Sequence, residues 1–277
     1  MARRVKQLLP QLRFPEFDGD WTEDRIDSFV ERVSQPVSVG LDTVYREIGV
    51  RSHGRGVFHK PETTGEKIGN KRVFWVHPNA FVVNIVFGWE QAVALTSESE
   101  NGFIASHRFP MYVPIEERID LGFMLRFFLR PRGKHLLELA SPGGAGRNKT
   151  LGQGEFAKLK IVVPSIDEQR KIAAALQAVD DKLTALRRKR ERLTTYKRGL
   201  MQQLFSQELR FTRADGRPFP DWEVRRLGEI TKINMGQSPS SETYNNLAQG
   251  LPLIQGNADI SNRTTSPRRF TTSPTKI

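Results

Sequence analysis

The chain has 277 residues, a formal net charge of +12 and no cysteine. This length allows one large domain or two ordinary ones. The net positive charge favours an acidic polymer as partner; nucleic acid is the first candidate and an anionic membrane surface is the alternative. The lack of cysteine excludes disulfides and thiolate chemistry. The sequence contains no run of about 18 apolar residues, which a membrane-spanning helix would need, so we expect a cytoplasmic protein without membrane association.

Residues 1–164 predict a mixed α+β domain. Between residues 21 and 164, short β-forming runs alternate with clusters of Gly, Pro and Asn, and DLGFMLRFFLR near 120–130 indicates a short helix. The runs are RVFWV, AFVVNIVFG, RFPMYVPI and KLKIVVP.

Residues 141–150, SPGGAGRNKT, resemble a phosphate-binding P-loop except that Asn148 stands where the second glycine should be. A working P-loop needs a strand before it and a helix directly after it, whereas residues 132–141 indicate a helix end. We therefore interpret the segment as a glycine-rich connector or as a loop that meets DNA. An NTPase remains an alternative.

Residues 165–207 predict one long helix. Apolar residues recur at heptad spacing, with Arg190 and Lys197 interrupting the stripe. A helix of this length cannot bury its stripe against a small domain alone, so we predict that it forms a coiled coil with another helix. A core helix of one domain is the alternative. Residues 182–213 hold ten Lys or Arg and two Glu, which indicates a solvated face or a contact with DNA or a subunit.

A sequence repeat flanks these regions. LRFPEFDGDW at 12–21 returns as LRFTRADGRPFPDW at 209–222, and the long distance between the copies predicts two domain-sized units. Residues 208–277 begin like the first unit, and we expect them to form a partial, truncated second domain.

Motifs for catalysis and metal binding are missing from the sequence. The five histidines lack metal-ligand spacing, and neither an E-x-K nuclease element, an N-P-P-[YF] loop nor a G-x-S-x-G elbow occurs. We therefore expect a protein that is not an enzyme and holds no metal or cofactor.

Several motifs together resemble one family. L-x-I-x-V-P at 159–164, E-Q-x-x-I at 168–172 and LMQQLF at 200–205 are similar to the connector of type I restriction-modification specificity (S) subunits. The two openings FPEFDGDW and RPFPDW, with MGQSPSSETYN further on, resemble the starts of that family's two halves.

The resemblance implies a non-catalytic reader of double-stranded DNA. Such a subunit reads each half of a bipartite target with one recognition domain and docks methyltransferase (M) subunits on its long helices, while a restriction (R) subunit hydrolyses ATP and cleaves. Because the second half is partial, we predict that two copies pair their helices antiparallel. The alternatives are an inactive truncated remnant and a coiled-coil adaptor that does not bind DNA.

Two sets of residues are candidates for these contacts. Basic or amide groups beside glycine or aromatic residues are the DNA-binding candidates, although a solvated loop is the alternative for each cluster: Arg51, His53, Arg55, Lys60, Lys71, Arg72, His107, Arg108, Arg147, Asn148 and Lys149. The helix motif and its stripe are the subunit-contact candidates: Glu168, Gln169, Ile172, Leu176, Val179, Leu183, Leu186, Leu193, Leu200 and Leu204.

Overall fold

The computed structural model describes residues 10, 12–143, 149–236, 238–261 and 264–275. It divides into two compact units, Met1–Arg198 and Gly199–Ile277. The α-helices are α1 (Gly65–Ile68), α2 (Leu121–Leu129), α3 (Pro131–Leu139), α4 (Gln153–Lys158), α5 (Ile166–Phe205) and α6 (Leu227–Ile230). The predicted α+β class and the long helix are confirmed.

The strands are short, and the strand pairs in the described part of the chain are antiparallel. Those of the first unit are β1 (Thr22–Arg25), β2 (Val30–Val33), β3 (Val44–Tyr45), β4 (Ile48–Val50), β5 (Val57–His59), β6 (Thr63–Thr64), β7 (Val73–Trp75), β8 (Phe81–Val83), β9 (Val93–Leu95), β10 (Ile104–Ser106), β11 (Met111–Pro114) and β12 (Lys160–Val163). Those of the second unit are β13 (Tyr244–Asn245), β14 (Leu251–Leu253), β15 (Ile260–Ser261), β16 (Thr264–Thr265) and β17 (Arg269–Thr271).

A four-stranded sheet in the order β2-β11-β8-β9 organises the first unit. Because side chains alternate along a strand, Phe81 and Val83 of β8 enter one apolar cluster and Val82 enters another. Helices α2, α3 and α4 line the first cluster, where the rings of Phe128 and Phe156 lie 5.6 Å apart. Burying each such side chain stabilises the fold by about 2–3 kcal/mol.

Helices α2 and α3 follow one another with a sharp break. The Asp120 side chain accepts a hydrogen bond from Phe123 N at 2.7 Å and so caps the start of α2. Arg130 is extended because Pro131 follows it, and Pro131 then occupies the first turn of α3. The break therefore follows directly from the sequence FLRPRG.

Strands β1 and β12 join the start of the first unit to the beginning of the long helix. Thr22 pairs with Val163 and Arg25 with Lys160, so the two ends of the domain meet directly before α5. Trp21, which precedes β1, packs edge-on against Phe123 of α2 at a ring distance of 6.3 Å. The junction is therefore built from segments about 140 residues apart in sequence.

Two polar residues fix the start of α5 to this junction. Glu168 is 1% exposed and accepts two hydrogen bonds from Arg13, at 2.6 and 2.8 Å. Gln169 is equally buried; it accepts from Asp120 N and donates to the carbonyls of Arg118 and Pro164. We expected both to contact another subunit. Their side chains instead hold the helix to its own domain, because a buried carboxylate and amide must find partners.

Beyond this junction α5 leaves the domain. Arg126 of α2 bonds Gln177 and Asp180 at 3.0 and 3.1 Å, and residues 174–199 of the helix are all exposed. Ile172 is partly buried against the first cluster, while Leu176, Val179, Leu183, Leu186 and Leu193 are 45–56% exposed. No helix in the described part of the chain is both long enough and apolar enough to cross a membrane.

The second unit has a smaller ordered centre. Strands β13, β17 and β14 form a three-stranded sheet, and β15 pairs with β16. The carboxylate of Asp259 accepts hydrogen bonds from Gln255 N at 2.8 Å and from Arg268 at 3.1 Å. A buried carboxylate rather than a large apolar cluster therefore organises this region.

Candidate nucleic-acid interface

The hairpin of β4 and β5 presents a basic loop, RSHGRG, at residues 51–56. Arg51 N donates to Gly56 O at 3.0 Å and closes the loop. His53, Gly54 and Gly56 adopt left-handed backbone conformations with φ of 60–79°. Gly54 has a φ of 63°, and a Cβ there would lie 2.3 Å from Leu129 Cδ2, so both its backbone conformation and this contact favour glycine. The loop is thus tightly constrained, and it carries Arg51, His53 and Arg55 exposed.

A second segment, residues 84–91, holds this loop in place; we name it the anchoring turn. His53 N and Gly54 N donate to the carbonyls of Glu90 and Gln91 at 2.8 and 3.0 Å. The Gln91 side chain donates to Phe128 O at 2.8 Å and so ties the anchoring turn to α2. The basic loop is therefore rigid, although no regular structure continues through it.

The anchoring turn also places aromatic side chains beside the basic loop. The Asn84 side chain accepts a hydrogen bond from Val86 N at 3.1 Å and reverses the chain after β8. Phe87 is 38% exposed, and the Lys149 ammonium lies 5.6 Å from the Trp89 ring centroid. This distance is within the range of a cation–π contact.

One further basic segment bonds to the anchoring turn, and another bonds to that segment. Ile85 N donates to Arg108 O, and His107 N donates to Arg72 O, each at 3.0 Å. Arg72 and Arg108 are exposed, as is Lys71. Backbone hydrogen bonds and the Lys149–Trp89 contact therefore connect the segments that carry eight of the predicted DNA-binding residues, which we name the basic face: Arg51, His53, Arg55, Lys71, Arg72, His107, Arg108 and Lys149.

Three of the predicted DNA-binding residues are not part of this set. Lys60 lies at the other end of β5 from the basic loop and pairs with Glu47 at 2.8 Å, which uses its charge within the fold. Arg147 and Asn148 lie outside the described residues. Near them, α3 precedes the glycine-rich segment and α4 begins only at Gln153, whereas a P-loop requires a strand before it and a helix directly after it.

Sequence reasoning missed two groups beside the basic loop. Arg130 and Arg132 follow Leu129, which packs on Gly54. Partial burial and the charge of Arg132 lower the pKa of Arg130, and its guanidinium lies 4.8 Å from the Phe127 ring centroid. The aromatic residues Phe87 and Trp89 were also missed. The run FLRPRGK is visibly basic, but only the fold shows that it adjoins the loop.

The fold and this face together define a class: an α+β domain with a basic surface, joined to a long helix whose apolar stripe is exposed. Residues 68–195 match the family model described as "Type I restriction modification DNA specificity domain". Over these residues the chain is thus similar to type I restriction-modification specificity subunits, the family that its motifs resemble.

Two relatives come from Methanocaldococcus jannaschii. The chain is 29% identical over 171 residues to the "Putative type I restriction enzyme MjaX specificity subunit", a match that spans 59% of this chain and 40% of that protein. It is 31% identical over 87 residues to the "Type I restriction enzyme MjaVIII specificity subunit", spanning 30% of this chain and 20% of that protein. The matches thus span less than half of either relative's length.

Two solved structures share the fold. One is the HsdS subunit from Thermoanaerobacter tengcongensis, with 23% identity, a TM-score of 0.52, and coverage of 96% of this chain and 67% of that one. The other, from work on complex assembly and conformational transition of the type I R-M system, has 23% identity, a TM-score of 0.54, and coverage of 96% and 68%. At this identity the likeness establishes the fold.

Proposed function

We propose that this chain reads DNA for a type I restriction-modification system and that the basic face is its contact surface. The observation that carries this proposal is the bonding of the basic loop to the anchoring turn, which groups the cations on a rigid support. A two-stranded β-ribbon fits the major groove of B-DNA, and cations around it can bind phosphates. Cellular DNA as target would place the protein in the cytoplasm. As a specificity component it would bind without catalysing a reaction.

Binding to duplex DNA tests this proposal. A pool of random-sequence duplexes is passed over the purified chain, and the bound duplexes are sequenced. We expect enrichment of one motif, corresponding to half of a bipartite target. Binding without any preferred sequence would favour the coiled-coil adaptor, and no binding at moderate salt would contradict a DNA-reading role.

Single substitutions locate the surface. Arg55→Ala and Lys149→Ala should each weaken binding to the selected duplex. Each should also lower the slope of log affinity against log salt by about 0.9, because one phosphate contact is lost. Lys158→Ala removes one exposed charge from α4 and serves as the matched control. Equal effects of all three substitutions would place the DNA elsewhere.

The apolar stripe of α5 is the proposed site of assembly. Five apolar side chains between residues 176 and 193 are roughly half exposed. The helix makes its last hydrogen bond to its own domain at Asp180, so the domain does not cover this stripe, and an exposed apolar surface of this kind indicates a binding site. We propose that a second copy covers the stripe antiparallel. Asp180 and Asp181 of one helix would then face the basic run 187–192 of the other. Methyltransferase subunits, and through them the restriction subunit, would dock on the helices so paired.

Sedimentation velocity at micromolar concentration tests the helix pairing. We expect a dimer of the whole chain, and Leu186→Asp should convert it to a monomer by placing a carboxylate in the stripe. Thr195→Asp adds the same charge outside the stripe and should leave the dimer intact. A monomeric wild-type chain would contradict this part of the proposal, and mixing it with a methyltransferase subunit would test docking separately.

A further inference from the structure

One carboxylate lies within the basic face, on Glu90 of the anchoring turn. Its Oε2 accepts a hydrogen bond from Ser52 Oγ at 2.9 Å. Its backbone carbonyl accepts from His53 N at 2.8 Å, and its own N–H donates to Phe87 O at 3.0 Å. Among the described residues, no hydrogen bond reaches Oε1. The carboxylate is thus fixed in position with one oxygen available.

A negative charge is unfavourable at this position if the surface only attracts phosphate. Ser52 lies between Arg51 and His53, and Trp89, the residue before Glu90, carries the Lys149 ammonium over its ring. Coulomb repulsion between the carboxylate and DNA phosphates lowers the affinity for every sequence. An uncharged glutamine could accept the same bond from Ser52. Anchoring the loop therefore does not account for the charge.

The charge does suit a ligand group that donates hydrogen bonds. In the major groove, cytosine N4 and adenine N6 donate, while guanine N7 and O6 and thymine O4 accept. Adenine carries its acceptor N7 beside N6, and a carboxylate repels that nitrogen. Cytosine presents a donor without this neighbour, and carboxylates in protein–DNA interfaces accept from it.

Resting on the DNA-reading function proposed above, we propose that Glu90 determines specificity by accepting a hydrogen bond from cytosine N4 through Oε1. Arg55 and Lys149 bind the flanking phosphates and offset the repulsion. Glu90 therefore contributes selectivity at the expense of affinity: it penalises every sequence that lacks a cytosine at the position it faces.

The selection from random duplexes tests this inference when the wild-type chain and Glu90→Gln are compared. Glutamine retains the acceptor for Ser52 and pairs with adenine N6 and N7. We expect preference for cytosine at one position of the motif to fall roughly tenfold and preference for adenine to rise. Affinity for unrelated duplexes should increase at low salt. Glu66→Gln removes the same charge from an exposed site in α1 and should change neither the motif nor its selectivity.

The possible outcomes separate the two proposals. If the wild-type chain enriches no motif, the DNA-reading function fails. If it enriches a motif and Glu90→Gln enriches the same motif with the same preferences, only the role of Glu90 is overturned. Ser52→Ala distinguishes loop anchoring: it should weaken binding to all sequences without exchanging cytosine for adenine, and an exchange there would assign the selectivity to loop position instead.

Discussion

The two copies of the sequence repeat form similar arginine and tryptophan contacts with different parts of the chain. In the first copy, Arg13 donates to Gly19 O at 2.7 Å, and Trp21 packs edge-on against a phenylalanine at 6.3 Å. In the second copy, Arg210 donates to Pro220 O at 2.5 Å, and Trp222 packs edge-on against Phe205 at 6.2 Å. Both carbonyls lie two residues before the tryptophan, so the repeat is structural as well as sequential.

The copies differ in how deeply the arginine's partner and the tryptophan are buried. Arg13 pairs with Glu168, whose side chain is 1% exposed, whereas Arg210 pairs with Asp221, whose side chain is 96% exposed. Trp21 is partly buried and packs against the main apolar cluster, whereas Trp222 is 54% exposed. The comparison teaches that a motif can fix its own local geometry, while its contribution to stability depends on the surface that it covers.

Removing the carboxylate from the arginine ion pair of each copy should give the largest difference in the free energy of unfolding between the copies. Glu168→Ala leaves the partly buried Arg13 guanidinium with only the Gly19 carbonyl as a hydrogen-bond partner, and it should lower the free energy of unfolding several times more than Asp221→Ala does. Asp221→Ala breaks an exposed pair and should change it by less than about 1 kcal/mol. Urea unfolding of both variants measures the difference. Adding Arg13→Ala to the first variant should restore part of the loss, and equal losses for the two single variants would remove the distinction.

Replacing the tryptophans should give the next largest difference. Trp21→Ala should cost about 3 kcal/mol because it opens a cavity beside Phe123, while Trp222→Ala should cost about 1 kcal/mol or less. Trp21 Nε1 is buried without a hydrogen-bond partner among the described residues, so Trp21→Phe should be nearly neutral. Thermal unfolding followed by near-ultraviolet circular dichroism compares the three. A large loss in Trp21→Phe would show that the indole nitrogen is bonded.

Low pH should also destabilise the two units by different amounts, through the protonation of one carboxylate in each. Burial opposes ionisation of Glu100, but hydrogen bonds from His59, Ser99 and Ser97 outweigh it and lower its pKa from 4.5 to about 2. A depressed pKa stabilises the fold above the unfolded value, and this contribution is lost as the pH falls from about 5 to 2. The loss should be on the order of 2 kcal/mol, because solvent screening reduces the full effect of the shift, and it should be absent in Glu100→Gln.

The second unit supplies the contrast for this titration. Hydrogen bonds from the Gln255 backbone and from Arg268 lower the pKa of Asp259, so its contribution is likewise lost in acid. Unfolding measured between pH 7 and 2 for the wild type, Glu100→Gln and Asp259→Asn assigns each part of the acid loss to its unit. A Glu100→Gln curve parallel to that of the wild type would contradict the assignment.

Much of the fold follows from local sequence signals. The long helix, predicted over 165–207, is present at Ile166–Phe205 because its heptads and the lack of Pro leave no interruption. The run AFVVNIVFG shows the limit of such signals. Its strand ends at Val83, because Asn84 bonds Val86 N and begins the anchoring turn. The roles of Glu168 and Gln169 depended on partners up to 155 residues away, which no local pattern specifies.

The sequence predicts which residue types make up the candidate DNA-contact surface, but not the contacts that bring them together. The basic loop and the 106–109 segment stand out as clusters of charge beside glycine and aromatic residues. Glu90 and Trp89 do not, because their importance comes from bonds to residues nearly 40 positions earlier and from a lysine 60 positions later. Lys60 lies in the same basic sequence cluster as Arg55, yet it forms an ion pair with Glu47. Pairing across strands decides which cations remain free.

The glycine of the shared D-G dipeptide should give the smallest difference and the only one with opposite signs. Gly216 has a φ of 80°, a conformation that strains any residue with a Cβ, so Gly216→Ala should cost about 1 kcal/mol. Gly19 does not have a positive φ, and a Cβ there meets no atom within 4 Å. Gly19→Ala should therefore stabilise the fold by about 0.5 kcal/mol, because it restricts the unfolded chain.

Urea unfolding at several temperatures resolves shifts of this size. Stabilisation by one alanine and destabilisation by the other would show that the copies share the arginine and tryptophan contacts but not the turn between them. The four residues inserted in the second copy accompany that difference: they lengthen the path from arginine to tryptophan, and Gly216 adopts a left-handed conformation that Gly19 does not. Two shifts of the same sign would mean that the turns are alike and that the insertion is accommodated elsewhere.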